Sequence, residues 1–308
     1  MAAPIDLSRP APPPSTGPIG DTDHHTSRRR RWANVVLVAA VPALVVAGFR
    51  PAGGLVAGFA LLYPLERAFR RHPWTMRRPG LRTDSLHLLF TGLLQAVATV
   101  VGAVAVYLLL WPVHQGDGGP LTGLPTVWQA VIGFAMFEVL GYWYHRASHE
   151  IGFLWRFHAV HHSSERLDWL AAARLHPIEG FFAALFVAPP LILAGITPVG
   201  LGAFSAVAGI WALLLHANVR WRLRAFDGWI GSPEQHHWHH SDDPAARNTN
   251  FSGLLPVLDR LFGTLYLPTD RRPASYGIGA EPMPEGWLAQ LAHPLRRRRP
   301  ARAPGMLG

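Results

Sequence analysis

Long apolar runs alternate with short polar connections along this chain. A run of about 20 apolar residues is long enough for a helix to cross the hydrocarbon core of a bilayer. The run at 178–215 is interrupted by Pro189-Pro190 and Thr197-Pro198, so it predicts a helical hairpin whose two ends emerge on the same side. The other apolar runs cover 32–49, 55–65, 85–111 and 127–144.

The pattern predicts an all-α fold, an integral membrane helical bundle of about four to six apolar segments with a histidine-rich helical cap. Six arginines lie in 66–82 and none in 112–126, so the positive-inside rule places the histidine-rich side in the cytoplasm. We expect four regions: a disordered basic N-terminal tail, transmembrane helices and loops, a histidine-rich domain, and a basic Pro-rich C-terminal tail. Their bounds are 1–31, 32–126, 127–270 and 271–308.

Charge and cysteine content narrow the function classes. The net charge of +9 comes from arginine alone, because the chain has no lysine. The arginine runs at 28–31 and 296–299 lack interleaved aromatic residues, so they favour an anionic lipid surface over nucleic acid. The absence of cysteine excludes disulfides, thiolate metal ligands and cysteine-bound iron–sulfur clusters.

Histidines carry the candidate chemistry. Eleven of the 17 lie between 145 and 240, and nine of these form three clusters at 145–149, 158–162 and 236–240. Residues three and four apart share one face of a helix, so each cluster directs two or three imidazoles the same way. A structural zinc takes four ligands, so eight or more histidines indicate two metal ions. The spacing alone leaves iron and zinc both open.

The chain from about Thr83 to Leu267 resembles the fatty acid hydroxylase/sterol desaturase superfamily of membrane di-iron enzymes. The matching segments are Arg82-Thr83-Asp84 with His87, Tyr142-Trp143-Tyr144-His145-Arg146 with His149, Leu154-Trp155-Arg156-Phe157-His158 with His161-His162-Ser163, Arg174-Leu175-His176-Pro177-Ile178-Glu179, His216-Ala217-Asn218, His236 to Ser241, Asn250-Phe251, and Asp259-Arg260-Leu261-Phe262-Gly263-Thr264-Leu265.

This resemblance implies that 127–270 is a fatty acid hydroxylase-like di-iron domain that holds two iron ions. It also implies O₂ as oxidant and electrons from an external donor, such as a ferredoxin, a cytochrome or a reductase. The ligands it implies are His145, His149, His158, His161, His162, His236, His239 and His240.

Five further residues are interpreted by their position relative to the three clusters. His216 is a ninth candidate, because it ends an apolar helix on the cluster side. His176, Glu138 and Asn218 are each a possible ligand or a hydrogen-bond partner of one. His237 points about 100° away from its neighbours on a helix and is expected not to bind metal.

Three functions remain open. The leading one is hydroxylation or desaturation of an unactivated C–H bond in a membrane lipid, whether fatty acyl, sterol or isoprenoid. The second is cleavage of an ether lipid by an alkylglycerol-type monooxygenase, which a pterin reductant would distinguish. The third is a non-enzymatic membrane protein that binds or transports metal, although such a protein would place its ligands at membrane depth.

Overall fold

The computed structural model describes residues 51–74, 77–114, 119–279 and 283–296. The predicted N-terminal tail at 1–31 and the first apolar run at 32–49 lie outside these residues. Where the chain is described it is helical and contains no strand, with isolated antiparallel bridges joining Arg70 to Val219 and Ser241 to Tyr276. The α-helices are α1 (Pro51–Ala68), α2 (Leu81–Leu86), α3 (Gly92–His114), α4 (Thr126–Glu150), α5 (Gly152–His162), α6 (Pro177–Ala194), α7 (Pro198–His216), α8 (Pro233–His239), α9 (Val257–Leu261) and α10 (Trp287–Ala292).

Two helical segments among the described residues are long and apolar enough to cross a membrane. One is Leu81–Leu110, in which a π-helical turn at His87–Thr91 joins α2 to α3, and the other is Pro177–Ala194, which is α6. These helices pack closely because glycines lie at their crossing. A Cβ on Gly102 of α3 would lie 2.9 Å from the Phe181 carbonyl oxygen of α6, so only a hydrogen fits there.

The predicted helical hairpin forms, but the turn lies later than the first proline pair. Helix α6 continues through Pro189-Pro190 and ends at Ala194. Gly195 then adopts a left-handed conformation with φ 80°, and α7 begins at Pro198. Each proline removes one backbone donor, and the apolar packing along α3 is enough to keep the helix intact through both.

The cap is built where the long helices end. Helix α4 runs for 25 residues without interruption and carries His145 and His149 in its last two turns. At Ile151 the backbone becomes extended, and α5 begins at once with the next histidine cluster in its second half. Helix α7 ends at His216, and the short helix α8 carries the third cluster.

Four buried charged side chains fix the loop that closes the cap. Arg78 binds Asp168 at 2.6 Å and Asp84 at 2.7 Å, while Arg174 binds Asp84 at 2.6 Å. All four side chains are at least nine-tenths buried. The network therefore joins α2 to the loop at 168–174, and breaking it would leave a charge without its partner.

The segment expected to be a basic C-terminal tail contains structure of its own. Gln290 of α10 binds the ring of buried His87 at 3.0 Å, and the Trp287 indole donates to the Thr91 hydroxyl at 2.9 Å. Arg156 of α5 donates to the Pro294 carbonyl. Residues 283–296 thus pack across the π-helical turn and the start of α5.

Candidate metal centre

Nine histidines converge in two adjacent groups at the end of the long helices. Within each group the ligand nitrogens all lie within 4.8 Å of one another. Group A contains His145, His149, His158, His162 and His239, and group B contains His161, His216, His236 and His240.

Two pairs of adjacent histidines are divided between the groups. His161 belongs to group B and His162 to group A, because successive residues on a helix point about 100° apart. The same division separates His239 from His240. The rings of His162 and His240 stack with centroids 4.2 Å apart, so the two groups touch.

The spacing between imidazole nitrogens fits metal coordination. Two nitrogens that bind one metal at about 2.1 Å, at an angle of about 90–110°, lie about 3.0–3.4 Å apart. In group A the Nε2 atoms of His145 and His158 are 3.1 Å apart. In group B the Nε2 atom of His216 lies 3.2 Å from that of His161 and 3.1 Å from that of His236.

In several of these histidines a hydrogen bond at Nδ1 leaves Nε2 free to bind a metal ion. A carbonyl or carboxylate oxygen only accepts, so the Nδ1 atom facing it carries the proton and Nε2 keeps its lone pair. Five rings are held this way: His145 by Phe251 O (2.7 Å), His158 by Glu179 Oε2 (2.8 Å), His161 by Arg174 O (3.1 Å), His216 by Ala212 O (2.7 Å) and His239 by Thr249 O (2.8 Å).

The oxygens that orient these rings are themselves held in place. Arg174 is anchored through Asp84, which fixes the carbonyl that accepts from His161. Asp259 accepts from the backbone N–H groups of Phe251 and Ser252 at 2.8 and 3.1 Å, which fixes the carbonyl that accepts from His145. Outer hydrogen bonds of this kind orient metal-binding imidazoles and raise their affinity for the metal.

Several ring nitrogens in the two groups have no partner within the described residues although they are buried. These are Nε2 of His149, His162 and His239 in group A, and Nδ1 of His236 and His240 in group B. A buried polar atom without a partner costs about 1–3 kcal/mol. The donor set of neutral imidazoles with unused lone pairs fits iron or zinc.

Burial also keeps these imidazoles in the form that binds metal. It lowers the pKa of His161, His162, His236 and His240 well below the usual range, with neighbouring histidines as a further cause. For His239 burial lowers the pKa to about 3. The rings are therefore neutral near pH 7.

Two histidines near the centre lie outside both groups, with both ring nitrogens engaged elsewhere. His176 caps α6 by accepting from Ile178 N at 3.3 Å, and its Nε2 donates to Leu291 O at 3.0 Å. His237 donates from Nε2 to Ala217 O and accepts from the Tyr276 hydroxyl, each at 3.1 Å.

The other two polar candidates also lie outside the groups. Glu138 accepts from the backbone N–H groups of Leu254 and Leu255 at 3.1 Å, so it holds a loop. The Asn218 side chain makes two hydrogen bonds to the backbone of His72. It accepts from the N–H group at 2.9 Å and donates to the carbonyl at 3.1 Å.

Glu179 orients a histidine of group A, a role that the sequence pattern did not predict. Its Oε1 accepts the backbone N–H of His176 at 3.0 Å, which completes the capping box of α6, while its Oε2 holds His158. The available signal was the spacing of His176 and Glu179 around Pro177, which is typical of a capping box at a helix start.

A cavity of about 290 Å³ opens onto group A alone. His149, His162 and His239 line its inner end, together with Trp155. Its outer part is formed by loop residues at 241–248 and 277–279. No member of group B contributes to its lining, so a molecule in this cavity meets group A.

The sequence of this chain is similar to those of lipid-modifying enzymes. The family model for fatty acid hydroxylase matches residues 130–264, which lie inside the predicted domain at 127–270. An ornithine lipid hydroxylase, OlsE of Rhizobium tropici, is 34% identical over 282 residues, covering 87% of this chain and 76% of that protein. No solved structure matches the chain.

More distant relatives carry out other reactions. Alkylglycerol monooxygenase of Danio rerio is 28% identical over 175 residues, which cover 57% of this chain. Very-long-chain aldehyde decarbonylase GL1-4 of Oryza sativa subsp. indica is 26% identical over 194 residues, or 59% of this chain. The matched parts make up 38% and 29% of these two relatives, so this chain spans less than half of either.

Proposed function

The chain belongs to the fatty acid hydroxylase family, and from that premise we propose that it hydroxylates a membrane lipid with O₂ at a centre of two iron ions. One oxygen atom enters a C–H bond to give an alcohol. The other leaves as water, which requires two electrons and two protons from an external donor. The similarity to lipid hydroxylases and monooxygenases supports a lipid-modifying oxygenase.

The observation that carries the proposal is the convergence of nine buried imidazoles in two touching groups. Two irons, when bound, supply the reductive activation of O₂. Group A would hold one ion and group B the other. Glu179, Asp259 and Asp84 act on the ligands from outside, by orienting His158 directly and by fixing the carbonyls that orient His145 and His161.

The lipid substrate is expected to come from the bilayer in which the protein is embedded. The apolar helices Leu81–Leu110 and Pro177–Ala194 support a membrane protein. On the sequence pattern the chain crosses the membrane several times and carries the metal centre on the cytoplasmic face. An electron donor such as a ferredoxin, a cytochrome or a reductase would then reach the centre from the cytoplasm. The similarity to an ornithine lipid hydroxylase makes ornithine lipid the first lipid to test.

The proposal is tested by supplying ¹⁸O₂ to cells with and without the gene and comparing their lipids by mass spectrometry. A lipid that gains one ¹⁸O atom only in cells with the gene is expected. His162→Ala is the matched inactive control, because it removes a ring of group A that borders group B. Loss of two hydrogens without oxygen would replace hydroxylation by desaturation. No change in any lipid would contradict an oxygenase.

Ether-lipid cleavage is the second candidate, on the similarity to alkylglycerol monooxygenase. Its distinguishing requirement is a pterin reductant. Purified protein that oxidises an alkylglycerol only with a reduced pterin would favour this candidate. Oxygenation supported by a ferredoxin or a reductase alone would favour the first.

A further inference from the structure

We propose that the histidine-bearing cap docks on the head-group boundary of the membrane through an aromatic patch on its own surface. The aromatic patch consists of Trp143, Phe226, Trp229, Ile230, Leu261 and Phe262. Its partner is an anionic lipid surface, which loops of the cap contact as well as the helices expected to span the bilayer. This inference rests on the membrane embedding in the proposed function and is independent of the oxygenation chemistry.

One tight turn presents three members of the aromatic patch. Phe226, Trp229 and Ile230 are 58%, 53% and 37% exposed. The Phe226 carbonyl accepts from the backbone N–H groups of Trp229 and Ile230, at 2.9 and 3.1 Å, and these hydrogen bonds close the turn. Large apolar side chains that are clustered and exposed on an ordered backbone mark an interaction surface.

Arg260 joins this turn to the end of α9. Its Nε atom donates to the Gly228 carbonyl at 2.7 Å, and its guanidinium carbon lies 5.1 Å from the centre of the Trp229 ring. The next two residues, Leu261 and Phe262, are 73% and 36% exposed. The turn and the end of α9 therefore form one surface.

The aromatic patch continues the exposed face of α4. Four exposed side chains follow one another along this face at intervals of four residues: Val131, Ala135, Val139 and Trp143. The ring of Trp143 lies 4.9 Å from the ring of Phe262. Helix α4 contains the apolar run at 127–144 that is expected to span the bilayer. Lipid that covers this face of α4 therefore reaches the aromatic patch at Trp143.

The residue types in and around the aromatic patch suit the head-group level of an anionic bilayer. Tryptophan is enriched at membrane–water boundaries, and arginine binds phosphate through its fork of N–H donors. The guanidinium of Arg146 lies 5.5 Å over Trp143, as that of Arg260 lies 5.1 Å over Trp229. Arg260 is exposed, donates to backbone carbonyls and forms no ion pair with a described carboxylate. Its charge is therefore free to meet a lipid phosphate.

Docking through the aromatic patch would hold group A at the membrane–water boundary. Trp143 precedes His145 by two residues, which is about 3 Å along a helix. Helix α9 connects the patch to group A as well, because Asp259 lies two residues before Leu261. The Asp259 carboxylate accepts from the Phe251 N–H at 2.8 Å and so fixes the carbonyl that orients His145. The depth of the aromatic patch in the membrane therefore sets the depth of the centre.

The test measures that depth with single cysteines, since the chain has none of its own. Phe226→Cys and Leu261→Cys report on the aromatic patch. Val139→Cys reports on the exposed face of α4, and Ala245→Cys on an exposed loop of the cap after α8. Each metal-loaded variant carries a bimane fluorophore and is reconstituted in vesicles of phosphatidylethanolamine and phosphatidylglycerol. The measured quantities are the quenching constants for iodide in the water and for a phosphatidylcholine that carries a nitroxide near its head group.

The lipid nitroxide is expected to quench both patch labels several-fold more than the Ala245→Cys label, and iodide several-fold less. Quenching of both patch labels equal to that of the Ala245→Cys label would overturn the inference. Protection from both quenchers would also overturn it, because protein and not lipid would then cover the patch. All four positions are exposed, so substitution there changes the stability of the fold little.

The Val139→Cys label separates this inference from the proposed function. Quenching of that label by the lipid, with patch labels that behave like Ala245→Cys, would overturn the docking of the cap and leave the membrane embedding intact. Quenching of the Val139→Cys label by iodide alone would contradict the embedding and the docking together. The oxygenation chemistry is decided separately, by the ¹⁸O₂ experiment.

Discussion

Glu179 holds His158 with one carboxylate oxygen, Oε2 at 2.8 Å from Nδ1, and caps α6 with the other, Oε1 at 3.0 Å from the backbone nitrogen of His176. One side chain therefore starts a helix and orients an imidazole of group A. Because both contacts depend on the same carboxylate, the position of His158 is tied to the start of α6.

Glu179→Gln should weaken metal binding more than it weakens the fold. The amide can still accept one hydrogen bond, but it no longer places a negative charge against the Nδ1–H group of His158. Removing an outer partner of a metal ligand costs about 10- to 100-fold in affinity. Titration of the purified protein with a chelator should show this loss. Glu150→Gln, at an exposed residue of α4, is the control and should titrate like the wild type.

His216 and His237 should differ in their effect on metal content although both are buried. His216→Ala removes a ring of group B, so the folded protein should lose metal. His237→Ala removes the hydrogen bonds to the Tyr276 hydroxyl and the Ala217 carbonyl, each worth about 0.5–1.5 kcal/mol of stability. Both groups keep a second partner, in His72 and the Val219 backbone, and the variant should keep its metal. Elemental analysis of the folded fraction checks this, and the reverse result would mean that group B is wrongly assigned.

The buried charge network should contribute far more stability than an exposed ion pair. Asp84→Asn leaves Arg78 and Arg174 without their shared partner, and breaking a buried pair costs about 3–5 kcal/mol. Arg146→Gln breaks the exposed pair with Glu150, for which about 0.2–1 kcal/mol is expected. Unfolding midpoints in detergent should show a large decrease for the first variant and a small one for the second. Equal decreases would refute a special role for the network.

The proposed cytoplasmic position of the centre predicts opposite labelling of two introduced cysteines. Gly123→Cys lies between α3 and α4, far along the chain from the histidine clusters, and Ala245→Cys lies on the loop after α8. An impermeant maleimide added to intact cells should label the first and reach the second only after permeabilisation. Labelling of both from the same side would refute the topology.

The sequence indicated which histidines converge because most of the signal is local. Histidines three and four residues apart share a helix face wherever that helix packs, which marks the three clusters. The eight ligands among them followed from the family resemblance, and His216 was added because it ends an apolar helix. The division of these histidines between two groups could not be predicted from their spacing. It depends on how α4, α5, α7 and α8 meet, which separates His161 from His162 although they are adjacent.

The supporting residues were harder to predict because their roles depend on distant contacts. Glu138 lies two turns before His145, a spacing that favours a hydrogen bond to its imidazole, but its carboxylate accepts from the backbone N–H groups of Leu254 and Leu255. Glu179 does orient one, across 21 residues of sequence. His176 could not be assigned from spacing, since an N-cap and a metal ligand can occupy the same position before a helix.

The number of metal ions per folded chain tests the central claim most directly. Protein produced with iron, purified in detergent and analysed for all transition metals should hold close to two ions. His149→Ala in group A and His240→Ala in group B should each reduce the total towards one. Zinc in place of iron would still count, because imidazole sites bind it more tightly than ferrous iron. A folded wild-type protein that holds a single ion, or none, would contradict the two-metal centre.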